Sequence, residues 1–466
     1  MSSEAAESSR ARQVEESDHE EDEVEPPLVR QRPWVILASV PVIVGNKDEQ
    51  AEKILPGTDF LLDFQDPPRP SYLVLPKRIA PDPTFDRCFP YIIATEPSGR
   101  LLFHATQGRG ILNTAYFLCD AHTRTATRLP DAPKLFPSRS IGLIADPRRA
   151  GHYMVAQLHP RSSTCHETLL YYSTDTDKWA VKRLATSPEH KPWRSHGVFS
   201  HDGMLWWVDV AYGMLACDPF PDHPDLRFVP LPVGSEIDES VFRNPRVFID
   251  ERRCIRLSKG KLRFVEIHAP YNPVAAVSTL SDNTTVCMWT LVDPEGPHHW
   301  KFEYEAPFAE IWADESYITA GLPPQKVPAL ALVHPSNHEV VYFFHGSSLF
   351  AVDMRARRVL ACEACLISPH LQLQFQTSRF VDAWELPPTL LGLDPSAADM
   401  EGPDDEELSM ADLVIGSDEE SASLVSEMEF KSQADEDRSL GELMSMLKDM
   451  APESAPQPSL DQADEP

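Results

Sequence analysis

The chain has 466 residues, 42% of them hydrophobic, which is enough to bury a large core, and a formal net charge of −30. That charge is segregated: residues 1–25 hold −8, residues 394–466 hold −19, and everything between them holds −3. Acidic ends repel nucleic acid and attract basic surfaces, so the expected partners are other proteins and not nucleic acid.

The start, Met1-Ser2-Ser3-Glu4-Ala5-Ala6-Glu7, lacks the charged opening and apolar block of a secretory signal. Residues 1–31 read as a disordered acidic arm without periodicity. The apolar run from Trp34 to Val44 is too short to span a bilayer and contains Pro41, so no membrane association is expected and a cytoplasmic or nuclear location is. Isolated thiols such as Cys119, Cys217 and Cys287 sit in apolar runs and are expected reduced.

Ordered structure is expected over residues 32–388, beginning at the β-branched and aromatic run Trp34-Val35-Ile36-Leu37-Ala38. From Tyr91 to about Glu385, short apolar strands alternate with turns, and most of the 44 prolines fall between the runs, which disfavours helices. The clearest unit is Ser200-His201-Asp202-Gly203-Met204-Leu205-Trp206-Trp207-Val208-Asp209 followed by Gly213-Met214-Leu215-Ala216-Cys217-Asp218. Looser copies surround Leu101-Leu102-Phe103 and Leu349-Phe350-Ala351. Leu169–Ser173 turns into Trp179–Leu184, and Arg246–Asp250, Leu262–Ile267, Thr285–Thr290 and Ala329–His334 read as further strands. Repeated antiparallel units of this kind stack radially, so the fold class is all-β, a propeller-like antiparallel meander with disordered acidic N- and C-terminal tails; strand pattern alone leaves paired β-sandwiches as the alternative. Leu205, Trp207, Leu262, Phe264 and Trp289 are the expected core.

Beyond Pro388 the composition turns to Asp, Glu and Ser, and residues 389–466 read as a disordered acidic tail. Ser439 and Glu442 form a capping box ahead of Leu440, Leu443, Met444 and Leu447, which share one face of a short helix over 440–450 that needs a partner to form. Leu413-Val414-Ile415 followed by Gly416-Ser417-Asp418-Glu419-Glu420 is similar to a SUMO-interacting motif, set against the plainer reading of incidental aliphatics in a tail.

With these residues laid out, the middle of the chain resembles the grass-expanded plant family known as domain of unknown function 1618, itself similar to the propeller-like regions that follow F-boxes. The resemblance is carried by Leu205–Pro219, Arg227-Phe228-Val229-Pro230-Leu231-Pro232, Gly260–Ile267, Trp289-Thr290-Leu291 and Lys326–Pro335, with a core over 205–335. It implies a propeller-like fold and no particular activity. The chain departs from the F-box relatives in lacking a helical, Leu-rich module ahead of its first strand.

Candidate chemistry is sparse. Cys362-Glu363-Ala364-Cys365 has zinc-ligand spacing with His345 and His370 nearby, but a structural zinc site needs a matching second pair, and two reduced thiols at a strand end are the expectation. Asp218, Asp222 and Asp225 read as a surface turn and not a calcium loop, and His298-His299 as a solvated loop. No nucleophile elbow, phosphate loop or metalloprotease helix is present, so no catalytic residue, metal or cofactor is assigned. The basic stretch Arg243, Arg246, Arg252, Arg253, Arg256, Lys259, Lys261 and Arg263 reads as a strand face with Leu262 and Phe264 turned inward: an ordinary solvated face, or a dock for an acidic segment such as the chain's own tail. The functional expectation is a non-enzymatic protein-interaction scaffold with acidic tails for recruitment or regulation. The alternatives are a propeller hydrolase or transferase with a loop-assembled site, and a transcriptional co-regulator acting through the tail.

Overall fold

The computed structural model describes residues 33–80, 90–106, 114–132, 140–159, 167–188, 195–237, 249–268, 284–296, 298–323, 326–365 and 377–391. Five four-stranded antiparallel sheets follow one another along the chain. The first is β5 (Tyr91–Glu96), β6 (Arg100–Thr106), β7 (Thr114–Asp120) and β8 (Thr125–Arg128); the second is β9 (Ile141–Ala145), β10 (Tyr153–His159), β11 (Thr168–Ser173) and β12 (Lys178–Arg183). The third is β13 (Gly197–His201), β14 (Met204–Asp209), β15 (Gly213–Cys217) and β16 (Arg227–Pro230). The fourth is β17 (Arg253–Ser258), β18 (Lys261–His268), β19 (Thr285–Leu291) and β20 (Trp300–Pro307). The fifth is β21 (Ala329–Val333), β22 (Val340–His345), β23 (Ser348–Asp353) and β24 (Arg358–Ala364).

A further, five-stranded sheet joins the two ends of this run. It takes β1 (Trp34–Ala38), β2 (Val42–Val44), β3 (Leu61–Asp63) and β4 (Pro70–Pro76) from one end and β25 (Val381–Glu385) from the other. β1 pairs antiparallel with β25, Trp34 opposite Glu385 and Ala38 opposite Val381, while β4 runs parallel to β1 and β2. Pairing residues almost 350 positions apart closes the ring by hydrogen bonds, and the sheet so completed covers the apolar faces of the first and fifth sheets that an open array would expose.

Each sheet is apolar on both faces, and the core is divided accordingly. Leu73 and Trp384 pack with Leu101 and Phe103; Leu102 and Tyr116 with Leu143 and Val155; Leu169 with Leu205 and Trp207. Trp206 and Met214 then pack with Ile255 and Phe264; Val265 and Met288 with Phe343 and Phe350; and Leu332 and Phe344 return to Ile36 and Val381. Every cluster lies between consecutive sheets and the last meets the first. That circuit is the propeller expected from the strand pattern, and it displaces the paired-sandwich alternative, whose inner faces would share one core.

Local sequence chemistry sets the turns. Asp202 and Gly203 between β13 and β14, and Lys259 and Gly260 between β17 and β18, all have positive φ, as a two-residue type I′ hairpin turn requires. Among the described residues, α-helix is confined to short pieces: α1 (Glu49–Glu52), α2 (Ile249–Arg252), α3 (Phe308–Ala313) and α4 (Glu315–Thr319). α2 corrects one expectation: Ile249 and Asp250 begin a helical turn and do not continue a strand. α3 and α4 were hidden in the sequence because Phe308, Ile311, Trp312 and Tyr317 bury as an apolar cover on the fourth and fifth sheets, with too few turns to show a period. Among the described residues no helix is long and apolar enough to cross a membrane.

Candidate functional site: the central channel

The innermost strands surround a cavity of about 190 Å³ whose lining includes Tyr91, Thr95, His196, Ser200, Arg256 and Asp382. At one end, where inner strands begin, charged side chains from three sheets meet. His196 directly precedes β13, with its N–H donated to Val208 O at 2.7 Å. Its Nδ1 lies 3.5 Å from Asp209 Oδ1 at the end of β14, and its Nε2 lies 3.6 Å from Asp250 Oδ1 in α2. Arg379, in the 3-10 turn Ser378–Phe380 ahead of β25, approaches the other Asp250 oxygen at 3.7 Å, and Ser378 Oγ donates to Asp250 O at 3.1 Å. Asp209 also accepts the Ala211 N–H at 3.0 Å. Asp209 and Asp250 are 3% and 4% exposed, so protein groups and not bulk water surround both carboxylates.

A second buried pair sits on the inner half of the fourth sheet. Arg253 and Glu266 are direct cross-strand partners on β17 and β18, hydrogen-bonded side chain to side chain. The same guanidinium donates to Ser235 O at 2.7 Å and Val210 O at 3.2 Å, tying the fourth sheet to the connection that follows the third. Burial alone would raise the Glu266 carboxyl, but the hydrogen bond from His268 at 2.9 Å and the charge of Arg253 outweigh it and hold the carboxyl below its ordinary pKa. The Glu266 hydrogen bond correspondingly raises His268. In α2, burial pushes Glu251 up to about 7, with Asp250 adding to the shift against Arg252 and Arg379.

The basic stretch expected on one solvated strand face is distributed differently. Arg253 is 8% exposed and Arg263 only 4%, the latter bonded to Thr290 and to Glu303 at 3.2 Å. Both faces of β18 pack on neighbouring sheets, so alternation does not separate an inner from an outer face, and cations on either face must be paired. Arg252 is half-buried in α2, Arg256 is half-buried in the channel, and Lys259 and Lys261 are exposed in and beside a hairpin turn. Arg243 and Arg246 lie outside the described residues, as do Leu413, Val414, Ile415, Leu440, Leu443, Met444, Leu447 and both acidic tails.

Of the expected core residues, Leu205, Trp207, Leu262 and Phe264 are buried and Trp289 is partly so. Cys362 packs toward the core between the fourth and fifth sheets, whereas Cys365 is buried in the next core, its N–H on Ser347 O and its thiol pushed up to about 12 by burial. The two thiols thus serve different cores. Asp218 accepts the Phe220 N–H two residues on, whereas Asp225 accepts the hydroxyl of Thr186, to which it is joined by an isolated β-bridge. Among the described residues, no group of three His, Cys, Asp or Glu side chains is placed to hold a metal ion.

Sequence reasoning missed His196, Asp250 and Arg379 as a group. They are separated by 54 and 129 positions and carry no local motif; the one usable signal was Asp209, the polar residue that closes the apolar run Leu205–Val208.

The closed ring of sheets and its lined channel define a β-propeller. Residues 207–342, running from β14 into β22, match the family described as "Protein of unknown function (DUF1618)". No protein with a curated description matches the sequence. Among solved structures, the chain is similar to the Myceliophteria thermophila Cps50 (Swd1) β-propeller domain, at 9% identity and a TM-score of 0.30, with 64% of this chain and 96% of that one covered. It is also similar to Citrobacter koseri AztD, at 11% identity and 0.29, with 60% of each chain covered. The WD40 domain of SCAP from fission yeast is a third, at 12% identity and 0.30, with 59% of this chain and 51% of that one covered. Likenesses this distant say nothing about what the chain binds.

Proposed function

We propose that the chain is a protein-interaction scaffold that presents the outer rim of its fourth sheet to a partner. The observation that carries this reading is a row of side chains, Ile255, Phe264, Trp289 and Phe302, directly paired across β17 to β20 from the channel outward. The row ends on Phe302, 50% exposed on the outermost strand of its sheet, and Val292 on the same hairpin is 48% exposed. An aromatic side chain on an open strand edge suits a partner that adds an extended segment, with backbone hydrogen bonds for affinity and apolar side chains for specificity. The cluster at the channel end suits a strut between sheets more than a reaction centre, because His196 stands between Asp209 and Asp250, and Arg379 pairs with Asp250 from another sheet. The acidic tails, in this reading, add recruitment or regulation.

The test is affinity capture with three baits: the whole chain, the Phe302→Asp/Val292→Asp variant, and a chain ending at Pro388. Partners lost with the rim variant and kept by the truncated chain support the proposal. Partners that survive the rim variant and vanish on truncation would transfer the binding role to the tail.

A further inference from the structure

One cation in the channel lacks the carboxylate that every buried neighbour has. Arg256, on inner strand β17, donates to Ile255 O at 3.1 Å and to Ser378 O, while its buried Nε has no hydrogen-bond partner among the described residues. No Asp or Glu lies within ion-pair distance of it among those residues, although Arg253 has Glu266, Arg263 has Glu303 and Arg379 has Asp250. Its direct cross-strand neighbour is Arg263, so local packing adds like charge and not relief. A half-buried guanidinium bonded only to carbonyls retains most of the cost of its desolvated charge, and an anion is the chemistry that removes it. Space for one adjoins it: Arg256 lines the same cavity of about 190 Å³, which by a water's share of liquid volume holds about six waters.

The rest of the lining narrows the class. Leu37, Ile92, Val198 and Val208 supply apolar wall. Asp382 also faces the cavity and accepts the Thr95 hydroxyl at 2.7 Å, with no cation within ion-pair distance among the described residues; Glu385 lines the cavity further along β25. These carboxylates oppose a second negative charge on any occupant. We propose that the channel binds a small monocarboxylate, its carboxylate bonded to the Arg256 guanidinium and its short alkyl part against the apolar wall, and that Asp382 rejects dicarboxylates and phosphate. This site is separate from the rim and does not depend on the scaffold reading.

The experiment uses the full chain with sodium butyrate, succinate and inorganic phosphate as probes, binding being read by ligand-detected NMR and by the shift in thermal unfolding. Butyrate should saturate; succinate and phosphate should bind at least tenfold more weakly. Arg256→Gln should weaken butyrate about tenfold or more, the loss of one charge-assisted hydrogen bond. Asp382→Asn keeps Arg256 in place and should bring succinate to within a few-fold of butyrate, which tests the site even where Arg256→Gln fails to fold. Failure of butyrate to saturate, phosphate binding tighter than butyrate, a folded Arg256→Gln that binds butyrate unchanged, or an Asp382→Asn that still rejects succinate would each overturn the proposal.

Discussion

Replacing Arg253 by Met keeps most of the side chain's length while removing the charge that holds Glu266. Three consequences add. Glu266, 6% exposed, keeps only the partly exposed His268 as a partner, and Ser235 O and Val210 O lose their donor. Opposite charges near 4 Å at an effective dielectric of about 20 interact by about 4 kcal/mol, and stranding one member of a buried pair costs about 3 to 5 kcal/mol in practice. We therefore expect Arg253→Met to lose about 3 to 5 kcal/mol, measured by urea unfolding followed through tryptophan fluorescence. The double variant Arg253→Met/Glu266→Leu should recover most of that loss, because replacing both charges leaves no stranded group. The sign of the pH dependence follows from the depressed Glu266 carboxyl: its stabilising contribution is present above the ordinary carboxylate pKa and lost as pH falls through the lower, folded-state value. The gap between wild type and Arg253→Met should therefore narrow in acid, where Glu266 can take up a proton. A single variant that costs under about 1 kcal/mol, or a double variant no more stable than the sum of the two singles, would refute the reasoning.

Three further outcomes are expected. Glu251, with a pKa raised to about 7, remains protonated in the fold while the unfolded chain ionises, so it removes stability as pH rises from about 4.5 to 7; Glu251→Gln should match wild type near pH 4 and be about 1 to 3 kcal/mol more stable at pH 8, by thermal or urea unfolding. Gly213→Ala should destabilise by about 1 to 3 kcal/mol in the same assay, since an added Cβ would lie 2.6 Å from both Val229 O and the Phe228 ring, and the carbonyl belongs to a paired strand that cannot swing away. Trp207→Ala should cost about 3 to 5 kcal/mol, because the ring is fully buried between the second and third sheets and its Nε1 donates to Ser140 O at 2.9 Å.

The strands and hairpins were legible from residues alone because their determinants are local. Asp202-Gly203 can hold positive φ, the short apolar runs Leu205–Val208 and Gly213–Cys217 sit between turn residues and form buried strands, and repetition of that unit points to a radial stack, with the closed circuit of cores deciding against paired sandwiches. Even the core positions Leu205, Trp207, Leu262 and Phe264 follow from their runs. What alternation could not reveal was that both faces of a sheet would be covered. Arg263 therefore looked solvated and is 4% exposed, since the neighbour that covers it, with its own side chains, comes from a sheet more than sixty residues further on. The meeting of His196, Asp209, Asp250 and Arg379 likewise depends on β25 returning to β1 and closing the ring. Turns and strand periods are written in neighbouring residues; pairing of buried charges is written in distances between sheets, and only the closed tertiary structure sets those.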